Sequence, residues 1–390
     1  IVDNNNNLVS TGISILTTVS ESVGGKEIES VDSVKRFAPK IYSTFNRAVT
    51  AGDYEALIPK IYPEAESVSV FGGEELTPPQ YGKVFITIKP FYGPFVPDSI
   101  KNNLKSQLRK YSVAGIITEI QDLKYLYVEV DVNAYYNPNL APDANSVKTV
   151  VSNNITAYAD SADMNKYGAK FKYSKFQGII DNSNDSITSN ITKVEIRRDM
   201  KPKLNQVAEY ELCFGNPFYI KSYDGYNIKS SGFNIFGVAD TVYLSDIPKA
   251  DGRTGSLFFF RLQASNSPII VSNNVGTIDY ERAEILLNPI NITGTAKKVL
   301  DVPVIEVSAC PNSNDVIGLQ DLYLQLDVKN STVDMISDSI TSGENSSGTM
   351  YTATSSYTNG SIVRTSENEA LNTTLTSSDT YIIGSTTTTY

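Results

Sequence analysis

Histidine is absent from this 390-residue chain. Its absence removes the most common general base and the most common metal ligand in proteins. A Ser-His-Asp triad or a Cys-His pair is therefore impossible within the chain. No cofactor and no metal are expected, and we predict a protein that is not an enzyme.

Cysteine is scarce, with Cys213 and Cys310 as the two examples. A single disulfide between them is one interpretation, and two buried thiols is the favoured one, since free cysteine is among the most buried residue types. So low a count does not indicate a disulfide-based secreted scaffold.

The chain has few charged residues, and the acidic ones outnumber the basic ones. Charged residues make up 19% of the chain, and the net charge is −10. Nucleic-acid binding and attachment to an anionic membrane surface both need clustered basic residues, so neither is expected. The chain also lacks an apolar run of roughly 18 residues, the length that would span a bilayer, and it lacks a signal peptide at its start. Because the first residue is Ile1, we expect a part of a longer protein.

Hydrophobic residues account for 41% of the chain, which is enough for a sizeable core. Ser, Thr and Asn supply the polar balance, and they favour strands and turns. The predicted fold class is α+β, and the chain divides into four segments. These are a helical and extended entry (1–65), an α+β domain (66–200), a β-rich domain that could dimerise (201–336) and a Ser/Thr/Asn-rich tail or arm (337–390).

Two short helices are predicted in the entry segment. The first covers residues 31–38 and ends before Pro39. The second begins at a loose capping box, with Thr50 as the N-cap and Asp53 three residues later. Pro59 is expected to stop it.

The segment 66–200 alternates strands and helices. Its central strand covers residues 124–135, and its apolar positions share one face: Leu126, Val128, Val130, Val132 and Ala134. The other face carries Tyr127, Glu129, Asp131 and Asn133, so we predict a half-buried strand with one wet face. Amphipathic helices are predicted around 98–111 and 144–160, and a short one near Gln177.

Carboxylates are the remaining source of chemistry. Glu129 and Asp131 share one strand face, and a glycosidase needs only two such groups. A solvated strand face is the favoured interpretation. Asp181 to Asp185 resembles an oxygen-rich calcium loop but lacks the glycine and the distant glutamate of an EF-hand, which favours an Asx-turn loop.

After residue 201, short apolar runs alternate with Gly, Pro, Asn and Asp, which indicates a mostly β domain. Beyond Ser337 the hydrophobic content is too thin for a core. A flexible tail and an extended arm that orders on a partner both remain open.

The segment from Gly24 to Leu57 contains Arg-Ala-Val-Thr-Ala-Gly-Asp-Tyr at residues 47–54. It resembles the entry segment of baseplate-J-like proteins of contractile phage tails, and the order of elements to about residue 200 is similar too. The resemblance implies a baseplate-J-like α/β sandwich module and a set of structural signature residues. These are Arg47, Val49, Thr50, Asp53 and Tyr54. Residues 275–283 and 302–307 resemble the C-terminal β domain of T-even-like wedge subunits, with Ala283 where glycine is expected.

This resemblance implies a subunit of the baseplate wedge. Such a subunit forms dimers that close into an inner ring around the tail hub, binds other wedge and hub subunits, and relays the trigger for sheath contraction. The expected location is the virion tail baseplate, after assembly in the host cytoplasm. The long N-terminal part of T-even-like subunits is absent here.

Two other classes of function stay open. The Tyr- and Thr-rich C-terminal half suggests a β-rich virion protein that binds a receptor or a glycan. The pair of Glu129 and Asp131 suggests a glycosidase that works with carboxylates alone.

Overall fold

A computed structural model describes residues 31–338, apart from residues 77, 94, 142, 162, 165, 221–225, 264–266, 300 and 320 and the side chains of residues 32, 33, 36 and 37. The described residues form a mixed α+β structure that is rich in strands. The helices are α1 (Val31–Thr44), α2 (Ala51–Ile61), α3 (Asp98–Leu108), α4 (Ala144–Ala159) and α5 (Tyr173–Asp181). The tail from residue 339, the entry residues before 31 and the Gly24-Gly25 part of the family pattern lie outside the described residues.

The first strands form a small sheet of their own. They are β1 (Ala65–Gly72), β2 (Lys83–Pro90) and β3 (Ile117–Gln121), with β2 antiparallel to β1 and parallel to β3. Helices α2 and α3 share a core with this sheet, as their apolar spacing predicts. That core contains Tyr54, Leu57 and Ile58 from α2 and Leu104 and Leu108 from α3.

A second sheet surrounds the predicted central strand. Its members are β4 (Lys124–Tyr136), β6 (Ile187–Met200), β8 (Lys229–Ser230), β14 (Lys297–Val299), β15 (Val302–Ala309), β17 (Leu322–Leu326) and β18 (Thr332–Ser337). The strand order is β14-β15-β6-β4-β17, with β18 also on β4 and β8 also on β15. The predicted apolar face of β4 is buried, with Leu126, Val132 and Ala134 fully inaccessible. Helices α4 and α5 share its core, through Val151, Ile155, Phe176 and Ile180.

The third sheet is built from the segment after residue 201. Its strands are β7 (Val207–Cys213), β9 (Phe233–Ile235), β10 (Tyr243–Pro248), β11 (Thr254–Leu262), β12 (Pro268–Asp279) and β13 (Glu284–Thr295). They run in the order β10-β11-β12-β13-β7, with β9 on β13. Two short strands, β5 (Lys170–Phe171) and β16 (Val316–Ile317), pair separately. Because β15, β17 and β18 return to β4 and β6, segments before and after residue 200 share one sheet and one core. The four-segment division stays a prediction.

Both prolines that were expected to end helices lie inside them. Pro39 is within α1, and Pro59 is within the last turn of α2. A proline removes one backbone donor and strains the preceding turn. At Pro59 the lost hydrogen bond and the strain affect only the last turn of α2. The neighbouring Leu57 and Ile58 are fully buried, so their packing holds this turn in place.

Candidate functional site

The capping box at the start of α2 forms as predicted. Thr50 Oγ1 accepts a hydrogen bond from the Asp53 N–H at 3.3 Å, and Asp53 Oδ2 accepts from the Thr50 N–H at 2.9 Å and from the Val49 N–H at 3.1 Å. Burial alone would raise the pKa of Asp53, but these hydrogen bonds and the nearby Arg47 outweigh it and lower the pKa. The box therefore favours an ionised Asp53.

Tyr54 fastens the capped helix to the end of α3. Its side chain is fully buried. The Tyr54 hydroxyl donates to Ser112 Oγ at 3.0 Å, and Ser112 Oγ donates in turn to the Leu108 carbonyl at 2.9 Å. One residue before Val49, the Ala48 N–H donates to the Tyr111 carbonyl at 2.9 Å. The segment thus forms a joint between α2 and α3.

The structure gathers four of the five predicted signature residues around the box: Val49 and Thr50 donate backbone N–H groups to Asp53, and Arg47 lies near its carboxylate. Tyr54 instead bonds to Ser112. Arg47 and Val49 are exposed, and Val49 leaves 54% of its surface accessible. Whether the five act as a family signature stays a prediction.

The outward face of β4 is only partly the wet face predicted from the sequence, because Tyr127, Asp131 and Asn133 are half-buried and Glu129 is buried. Glu129 is only 6% exposed, and its carboxylate lies 3.1 Å from the Arg197 guanidinium on β6. Asp131 accepts a hydrogen bond from the Thr332 hydroxyl at 2.6 Å. Alternation correctly assigned the two faces of β4, but it could not show that other charged residues cover the polar one. The interpretation of a solvated Glu129 is therefore wrong.

Arg197 is the centre of a buried charge cluster that the sequence analysis missed. Besides Glu129, its guanidinium contacts Asp199 at 3.0 Å, Glu306 at 3.2 Å and Asp327 at 2.9 Å. The Arg197 side chain is 5% exposed, and its four acidic partners are between 6% and 18% exposed. These residues come from β4, β6, β15 and the turn before β18, so the cluster ties four parts of the chain together.

Two further groups complete this cluster. Lys297 on β14 donates to Glu306 Oε2 at 2.6 Å. The ring of Tyr127 lies against the guanidinium, with 4.3 Å between its centroid and Arg197 Cζ. Four carboxylates thus face two cations, which leaves the cluster with an excess of negative charge.

The negative charge of the cluster affects the pKa of Asp199. Burial raises the pKa of this carboxyl to about 6, and the neighbouring Glu306 and Asp327 add to the increase, while Arg197 opposes it. Arg197 Nε lies 3.0 Å from Asp199 Oδ1 but lacks the angle of a hydrogen bond. Asp199 is therefore the least satisfied acid of the cluster.

A second buried acid lies in the β-rich part of the chain. Asp246 on β10 is fully buried and accepts hydrogen bonds from the N–H groups of Asn227 at 2.8 Å and Ile228 at 2.6 Å, and from the Tyr280 hydroxyl. Burial raises its pKa against the opposing effect of these donors. The contacts join β10, the end of β12 and the segment before β8.

The remaining predicted sites are structural. Asn184 Oδ1 accepts from the Ser186 N–H at 2.9 Å, which confirms an Asx turn in the 181–185 loop. Cys213 is half-buried and Cys310 is buried, and both are free thiols. Among the described residues no group of three or more acidic or sulfur side chains is placed to hold a metal ion. None of the described helices is long and apolar enough to cross a bilayer.

Comparison with known proteins gives two adjacent matches. A family model described as baseplate structural protein gp6, C-terminal domain I, matches residues 50–121, and one described as C-terminal domain III matches residues 124–199. The baseplate wedge protein gp6 of Enterobacteria phage T4 is 22% identical over 180 residues. This chain is similar to baseplate wedge proteins.

The matches to wedge proteins follow the structure closely. The domain I match covers α2 and α3 with the β1-β2-β3 sheet, and the domain III match runs from β4 to β6. The similarity covers 46% of this chain and 26% of the T4 protein, so the chain spans about a quarter of that relative's length. It supports a structural protein of the bacteriophage baseplate wedge family, and that class of protein suggests a non-enzyme.

Proposed function

We propose that this chain is a structural subunit of the baseplate wedge in a contractile phage tail. The observation that carries the proposal is the pair of consecutive matches to baseplate structural protein domains. The first covers the β1-β2-β3 sheet with α2 and α3, and the second covers β4 to β6 with α4 and α5. The proposed location is the tail baseplate of the virion.

The finer proposal concerns assembly. The subunit forms dimers that close into an inner ring around the tail hub, binds other wedge and hub subunits, and relays the trigger for sheath contraction. It is assembled in the host cytoplasm, without nucleic acid, membrane or cofactor. Residues 66–200 are proposed to form a baseplate-J-like module and residues 201–336 a dimerising β domain. The joint at Thr50, Asp53 and Tyr54 supports such a role, because it fixes α2 to α3.

The chemistry of the buried acids supports a structural role as well. Glu129, the strongest candidate for a catalytic carboxylate, is held in the Arg197 cluster with three other acids. A glycosidase acid or nucleophile has to reach its substrate, and a group 6% exposed in an ion pair cannot do so without unfolding its surroundings. Within the described ranges no feature favours the receptor- or glycan-binding alternative.

Cross-linking of intact tails followed by mass spectrometry tests the assembly proposal. Lys298 and Lys329 are suitable lysines because they lie on separate elements of the β-rich part. The proposal expects cross-links from these lysines to a second copy and to other baseplate subunits. Cross-links only to capsid or tail-fibre proteins would contradict it.

A further inference from the structure

Strand β12 has an open edge over its first half. Residues 268–272 pair with β11, whereas pairing with β13 is confined to residues 276–279. No other described strand pairs with the outer side of 268–273. In an antiparallel edge strand, alternate residues turn their N–H and C=O groups outward, so this stretch offers free backbone partners.

The separation of β12 from β13 is built into the chain. Asn274 has a φ of 57°, in the left-handed region, where the strand bends. The Asn288 side chain on β13 donates to the Asn274 carbonyl at 3.0 Å and occupies the position where strand pairing would continue. Pairing of β12 with β13 therefore begins at Gly276 and does not extend to residues 268–273.

This edge lacks the charges that usually protect exposed strands from pairing. Residues 262–278 contain no charged side chain. Several other strands at the edge of a sheet carry charges: Glu66 on β1, Glu119 on β3, Glu209 on β7, Lys298 on β14 and Asp334 on β18. Ile270 is 47% exposed, and on the opposite face Val271 packs against the core. The combination is typical of a strand that another strand covers.

We propose that residues 268–272 of β12 pair antiparallel with the same residues of a second copy, with Ile270 opposite its counterpart on the two-fold axis, forming one sheet across two subunits. This rests on the self-association in the proposed function and names its surface. A two-fold axis places the residue at its centre opposite its own copy, so a charge there would face a like charge, and residues 268–273 carry none. In a chain of net charge −10, a neutral edge is where two copies meet with the least repulsion.

The test uses the full 390-residue chain in sedimentation equilibrium across a concentration series, with Ile270→Lys as the variant. Thr277→Lys is the matched control, because Thr277 is also exposed on β12 but lies where both β11 and β13 flank the strand. We expect a reversible dimer whose dissociation constant rises at least about tenfold in Ile270→Lys, since the two lysines then face each other across the axis. Thr277→Lys should leave the dissociation constant of the dimer unchanged.

Amide hydrogen exchange gives an independent measurement. Exchange of residues 268–273 should slow as the wild-type concentration rises, and should not slow in Ile270→Lys at equal melting temperature. A wild type that stays monomeric, or a dimer unaffected by Ile270→Lys, would overturn the β12 proposal. The second result would leave the wedge function intact, because the dimer would then use another surface.

Discussion

The guanidinium of Arg197 donates to the carboxylate of Asp327 at 2.9 Å, across 130 residues of sequence. Arg197 lies in the middle of β6, and Asp327 lies in the turn between β17 and β18, the two strands that pair with β4 on its other side. The pair therefore fastens the last described strands of the chain to the centre of the sheet.

Replacement of Arg197 by methionine tests that fastening. The variant leaves four buried carboxylates without their main cation, so we expect a loss of about 3–5 kcal/mol in the free energy of unfolding. Arg253→Met is the control, because Arg253 is half exposed and its ion pairs with Asp279 and Glu281 are worth little. A loss below about 1 kcal/mol for Arg197→Met, measured by urea unfolding, would show that the cluster does not stabilise the fold.

Asp199 gives the protein a specific pH dependence. Its folded-state pKa of about 6 lies above the ordinary value of 3.8, so the folded state binds a proton more tightly than the unfolded state between these pH values. The stability contributed by this group is therefore greatest below pH 4 and is lost as the pH rises through 6, by about 3 kcal/mol at most. Asp246, whose pKa is also raised, acts in the same direction.

We expect Asp199→Asn to flatten the stability profile between pH 4 and 6.5 and to raise stability at pH 7. Urea midpoints at several pH values provide the measurement, with the exposed Asp334→Asn as control. An identical pH profile for wild type and Asp199→Asn would mean that Asp199 is already ionised throughout this range.

Thr50→Ala should lower the free energy of unfolding by about 1 kcal/mol, because it removes the N-cap acceptor of α2. Thr156→Ala, on the exposed side of α4 near its C-terminal end, is the matched control and should be neutral or slightly stabilising. Combining Thr50→Ala with Asp53→Ala in a double-mutant cycle measures their coupling. Each hydrogen bond of the box uses a backbone N–H that survives in the other variant, so the two losses should be close to additive. The absence of a loss in both single variants would contradict the capping box.

Tyr280→Phe removes one of three donors to the buried Asp246 carboxylate. A loss of about 1–3 kcal/mol is expected, the cost of leaving a buried acceptor partly unsatisfied. Tyr210→Phe serves for comparison, because the Tyr210 hydroxyl bonds only to exposed backbone at Lys203. Equal melting temperatures for the two variants would argue that water replaces the Tyr280 hydroxyl.

Local signals predicted the local structure well. The capping box at Thr50 and Asp53 depends on residues three apart, and the buried face of β4 depends on strict alternation, so both could be inferred from the sequence. Ala283, noted as a position for glycine, adopts a φ of 57° and is fully buried, which is why glycine suits that position.

The Arg197 cluster could not be predicted in the same way. Its partners Glu306 and Asp327 lie 109 and 130 residues further along the chain, and nothing local links them. Two arginines and two acids at positions 195–199, within the segment that alternates strands and helices, are the available signal that charged residues cover the polar face of the sheet. Pro59 shows the opposite error, because the packing of Leu57 and Ile58 beside it outweighs a local rule that favours a helix end.

The proposed location in the tail baseplate is tested most simply by gold labelling of intact phage particles. The label is an antibody against the surface around Lys298, viewed by electron microscopy. If the chain is a baseplate wedge subunit, gold label is expected at the baseplate end of the contractile tail. Label confined to the capsid, the neck or the distal tips of the tail fibres would contradict it.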